Sequence, residues 1–87
     1  MINLIFQAGT QVFMIVVDKG KVFWNDAKSG VQELYPNPSP VAIRMGGKPT
    51  PQEIREYNSC KTDDELSAFI MRDCRNKGCT FIRRDIK

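Results

Sequence analysis

Lys61-Thr62-Asp63-Asp64-Glu65-Leu66-Ser67-Ala68-Phe69-Ile70-Met71-Arg72-Asp73-Cys74-Arg75-Asn76-Lys77-Gly78-Cys79-Thr80-Phe81-Ile82 is the stretch whose reading decides the fold. Thr62 and Glu65 have the spacing of a capping box, in which the hydroxyl accepts from the Glu65 amide while the carboxylate reaches back to the Thr62 amide. Asp63, Asp64 and Glu65 crowd the first turn and Arg72, Arg75 and Lys77 the last. Both ends of the helix dipole therefore meet opposite charge, each contact worth about 0.3–1 kcal/mol. Leu66, Phe69, Ile70 and Cys74 recur at helical spacing and form the expected buried stripe, with Ser67, Arg72, Asp73 and Arg75 facing water. Gly78 offers the left-handed conformation that ends a helix, and residues 79–82 read as a strand directly after it.

Immediately upstream, Thr50-Pro51-Gln52-Glu53 repeats the capping box with proline at the first helical position, opening a short helix over about 50–58. The longer helix covers about 62–77. Before these helices the periodicity is that of strands. Residues 2–6 alternate and stop at Ala8-Gly9-Thr10. Residues 11–17 are apolar on both alternating faces, Val12, Met14 and Val16 against Phe13, Ile15 and Val17, as in a central strand covered on both sides. Asp18-Lys19-Gly20-Lys21 is a hairpin connection to a third strand at Val22-Phe23-Trp24, and residues 31–35 form a fourth. Pro36, Pro38 and Pro40 remove backbone donors and make a stiff extended loop. A strand pattern resumes over residues 41–45. The expected fold class is α+β: an antiparallel sheet of four to six strands, two consecutive helices on one face, and a C-terminal strand returning to the sheet.

Eighty-seven residues, 41% hydrophobic and 26% charged, describe one small folded domain that buries about 60–65% of its unfolded surface. Thirteen Lys and Arg against ten Asp and Glu leave +3, too mild to identify a partner. Cys60, Cys74 and Cys79 are odd in number, which speaks against a disulfide framework and for a reduced, cytoplasmic protein. The N-terminal apolar stretch is broken by Asn3, Gln7, Gly9, Thr10 and Gln11, far short of the ~18 residues of a membrane helix. It reads as neither signal peptide nor anchor, and no membrane partner is expected.

Gly46-Gly47-Lys48 resembles the end of a phosphate loop, but a Walker motif needs glycine where Ala42 stands and Ser or Thr where Pro49 stands. What survives is a turn with one ammonium, Lys48, near the amides that open the Thr50 helix. Three cysteines without histidine or a C-x-x-C pair do not make a zinc site, so no metal and no cofactor is expected. Without histidine, general base chemistry would need a strongly shifted carboxylate, lysine or cysteine, and the pattern supplies no such setting. A non-enzymatic protein is the expectation.

Two binding readings remain. Three large apolar residues on the second face of the central strand, with neighbouring aromatics, point to a protein partner or a homodimer through Phe13, Ile15, Val17, Phe23 and Trp24. The alternative is nucleic acid held by the basic C-terminal end, through Arg72, Arg75, Lys77, Arg83 and Arg84 with Lys48 as a further anion contact. Trp24, Tyr35 and Phe23 would then stack bases, unless they pack the core. In the bland reading, Arg83 and Arg84 are a solvated tail.

Overall fold

A computed structural model describes residues 1–27, 30–34 and 50–87. The expected proline loop at 36–40, the strand at 41–45, Tyr35 and the Gly46-Gly47-Lys48 turn lie outside these residues. The described elements are β1 (Ile2–Ala8), β2 (Gln11–Asp18), β3 (Lys21–Asp26), β4 (Gly30–Leu34), α1 (Pro51–Ser59), α2 (Asp63–Asn76) and β5 (Thr80–Ile86). All strand pairings are antiparallel, in the order β4-β3-β2-β1-β5, so the protein is α+β with the C-terminal strand returning beside the first.

Local chemistry sets the turns. Lys19 and Gly20 both take positive φ, 50° and 78°, as a two-residue primed turn requires, and the Asp18↔Lys21 pair closes that hairpin. The turn is also tied to the helix layer: the Asp63 carboxylate accepts from the Lys19 amide at 3.0 Å and the Gly20 amide at 2.9 Å. At the far end of α2, Gly78 has φ +85°. The Cys79 amide donates to the Cys74 carbonyl and the Gly78 amide to the Arg75 carbonyl, the two bonds of a Schellman cap.

The two helix starts differ. At Thr50 the box is complete, the hydroxyl accepting from the Glu53 amide at 3.1 Å and the Glu53 carboxylate from the Thr50 amide at 3.2 Å. At Thr62 only the hydroxyl-to-backbone half forms, at 3.1 Å, because the Glu65 carboxylate turns to accept from the Thr62 hydroxyl instead. Thr62→Ala is therefore expected to lower the unfolding free energy by about 1 kcal/mol. Glu65→Ala should stay within about 0.5 kcal/mol of the parent in the same urea titration. Equal losses would show a reciprocal box in solution.

The core lies between the sheet and α2. Cross-strand register aligns Ile2, Val17 and Val22, then Leu4, Ile15 and Trp24, on the helix side. These residues bury with Tyr57, Leu66, Phe69, Ile70 and Cys74 in one cluster. A row of rings crosses four strands: Phe81 against Phe6 at 5.6 Å, Phe6 against Phe13 at 5.6 Å, and Phe13 stacked on Trp24 at 4.3 Å. The indole N–H of Trp24 donates to Asp26 at 2.7 Å, so the one polar atom of that ring is satisfied.

Three sequence expectations change. Ser67 and Asp73 are buried, not solvated, at 1% and 5% exposure. A helix that touches a sheet on one side and α1 on the other buries a wider arc than one lying on a sheet alone, and here that arc takes in 66–67, 69–70 and 73–74. Arg83 and Arg84 are not a tail. They pair with Ile5 and Leu4 in β5, which runs on to Ile86. Between Phe81 and Arg83 the register slips, leaving Ile82 as the extra residue of a bulge, 47% exposed.

Candidate interaction surface

Strand side chains alternate, so the residues that miss the core form rows on the opposite face. One row runs Arg83, Ile5, Met14, Asn25 across β5, β1, β2 and β3, and the next Asp85, Asn3, Val16, Phe23. Val12 and Gln7 continue the face toward the first turn. Val12 is 52% exposed, while Ile5, Met14, Val16 and Phe23 are half-buried. Asn3, Met14, Val16, Asp18, Phe23 and Asn25 help to line a shallow hollow of about 400 Å³. Asn3 is only 6% exposed, and its Oδ1 is shut off from solvent without a hydrogen-bond partner among the described residues. At the rim, the N-terminal ammonium lies 3.9 Å from Asp18, and Arg83 Nε donates to Asp85 at 3.1 Å.

Of the five residues expected to form an interface, only Phe23 is on this face. Phe13, Ile15, Val17 and Trp24 are at most 4% exposed and belong to the same buried cluster as Leu66, Phe69, Ile70 and Cys74 of α2. Both faces of β2 are apolar, and the helices settled on the Phe13-Ile15-Val17 side. The set turned outward is Val12, Met14 and Val16, which the alternation named but could not orient. Trp24 is likewise stacked inside and offers no platform for a base.

The cations do not gather. Arg84 bonds Asp64 at 2.8 Å at the first turn of α2, whereas Arg72, Arg75 and Lys77 lie about 12–20 Å further along that helix at ~1.5 Å per residue. Arg72 pairs with Glu56, Lys77 with Glu53 and Asp73, and Arg83 with Asp85. Lys48 lies outside the described residues.

Lys77 is the centre of the most polar cluster, in the groove between α1 and α2. Its ammonium donates to Glu53 at 2.9 Å and to Asp73, and Glu53 meanwhile caps α1. The hydrogen bond from Lys77 holds the Glu53 carboxyl down at about 2 against the upward push of burial, with Asp73 and the Thr50 amide acting in the same sense. Burial alone would lower Lys77, but its bonds to Asp73 and Glu53 outweigh this and raise it. A nucleophilic lysine needs the reverse shift, so the cluster reads as a tie between the helices.

Burial raises all three thiols: Cys74 at the sheet, Cys79 after the Schellman cap, and Cys60, which donates to the Glu56 carbonyl at 3.3 Å. None is poised as a thiolate at neutral pH. Burial also pushes Tyr57 up to about 12, and its hydroxyl has no hydrogen-bond partner among the described residues. Among the described residues, no group of three His, Cys, Asp or Glu gathers around a metal-sized site, and no helix is long and apolar enough to cross a membrane. Comparison with models of known families, with curated proteins and with solved structures finds no significant match to this chain.

Proposed function

We propose that this chain is a small non-enzymatic interaction module that works through the outer face of its sheet, in a reducing cytoplasmic setting. One observation carries the reading: Ile5, Val12, Met14, Val16 and Phe23 share the face turned away from the helices. The solvent side of an antiparallel sheet ordinarily alternates to polar residues, and an apolar patch on it marks a contact surface. Three free, protonated thiols suit a reducing compartment. The nucleic-acid alternative draws no support from the cations expected to carry it: Arg72, Lys77, Arg83 and Arg84 are each paired with a carboxylate and do not gather in one place.

Affinity capture from the source cell, with and without nuclease, tests the reading when the parent is run beside Phe23→Lys. Protein retained by the parent, lost by the variant and indifferent to nuclease is the expected result. Retention of nucleic acid alone, or a protein partner that Phe23→Lys holds equally well, would overturn it.

A further inference from the structure

We infer that the partner on the outer face is a second copy of this chain, stacked sheet on sheet about a two-fold axis that crosses the strands. The inference rests on the outer face being the contact surface and adds the identity and register of the partner.

Two features of the face favour a copy of itself. Its rim carries both signs, Asp18 and Asp85 with Arg83, Lys87 and the N-terminal ammonium, so it selects neither an acidic nor a basic surface. The arrangement is self-complementary. Arg83 and Asp85 stand two residues apart on the same side of β5, in the two adjacent rows that hold Ile5 and Met14, and Asn3, Val16 and Phe23. A two-fold axis crossing the strands between these rows exchanges them. It sets Met14 over Val16 of the second copy, and Arg83 within reach of the second copy's Asp85 on each side.

The size also fits. Five strands ~4.8 Å apart, seven residues long in β1 and β5 at ~3.3 Å per residue, give a footprint on the order of 500 Å² per copy. Two copies together reach the roughly 1,000 Å² that a specific interface needs. An interface at that lower bound belongs with weak, reversible contacts and not with permanent ones. The edge strand β5 is a poor alternative route to association, because the Ile82 bulge and the paired charges of Arg83 and Arg84 interrupt its outer ladder.

Sedimentation velocity of the purified full chain over a range of micromolar concentrations tests this, with a melting curve for each variant to verify that it folds. The parent is expected to dimerise reversibly and Phe23→Lys to sediment as a folded monomer. Arg83→Asp alone and Asp85→Arg alone set like charges against each other across the axis, and each should weaken the dimer about fivefold. The double variant Arg83→Asp with Asp85→Arg should return to within about twofold of the parent, since the exchanged rows match again. A parent that stays monomeric throughout overturns the second copy. If Phe23→Lys then still loses a different captured protein, the contact surface stands and only its partner was wrong. A dimer indifferent to Phe23→Lys, or a double variant as weak as the singles, overturns the face or the register respectively.

Discussion

Phe13→Ala is expected to lower the unfolding free energy by about 3–5 kcal/mol, the range for truncating a buried aromatic ring. Phe13 is 2% exposed and sits between two rings, 5.6 Å from Phe6 and 4.3 Å from Trp24. Alanine there removes the transfer free energy of the ring, opens a cavity, and breaks two aromatic contacts worth about 0.5–1.5 kcal/mol each. A chain of 87 residues has a total stability of only about 4–13 kcal/mol, so the loss is a large share of it. Phe23, next door on β3 but half-buried on the outer face, should lose less than half as much on the same change. Urea unfolding of the two variants measures the difference directly. A Phe13→Ala protein that unfolds with the parent would put Phe13 on the outside and Met14 within.

That contrast marks the limit of what the residues disclose unaided. Turns and caps were legible because their chemistry is local: Gly20 and Gly78 sit where φ must be positive, and Thr50 and Thr62 each hold an amide three residues on. The order of the described elements and the C-terminal return followed from these stops and from the two periodicities. What stayed hidden depends on contacts between distant parts of the chain. Both faces of β2 are apolar, so alternation separates Phe13, Ile15 and Val17 from Val12, Met14 and Val16 without choosing which one the helices cover. The partners of Asp63 are amides 43 and 44 residues earlier, and a carboxylate in the first turn of a helix looks the same with or without them. Ser67 and Asp73 read as solvated because they are polar, yet Ser67 falls on the arc beside Ile70 and Cys74, and Asp73 falls beside Leu66 and Phe69, where it meets Lys77. Arg83 and Arg84 read as a tail because an edge strand tolerates charge on its open side.

The groove between the helices gives the second large effect, from the opposite physics. Lys77→Met is expected to cost about 2–3 kcal/mol near neutral pH, somewhat below the 3–5 kcal/mol typical of breaking a fully buried pair, because the lysine side chain retains 24% exposure. Methionine keeps most of the side-chain length but takes away the positive charge between Glu53 and Asp73, the latter 5% exposed. By comparison, Arg72→Met should cost less than about 1 kcal/mol, since its pair with Glu56 is 61% and 36% exposed and water screens it. The pH dependence separates charge from shape. Glu53 is held at about 2 in the folded chain against 4.5 ordinarily, so it binds its proton less readily folded than unfolded. Its contribution is therefore complete above about pH 4.5 and is lost as the pH falls toward about 2. Lys77 is shifted upward, so its own contribution holds from there up to its ordinary value of 10.5 and is lost only above it. The gap between parent and Lys77→Met should thus be widest near neutral pH and should narrow steadily between about pH 4.5 and about pH 2. Adding Asp73→Asn to Lys77→Met should recover part of the loss at neutral pH, because it removes one of the two carboxylates left facing each other. A penalty that stayed constant across the acid range would mean that the packing of methionine, and not the missing ammonium, weakens the junction of α1 with α2.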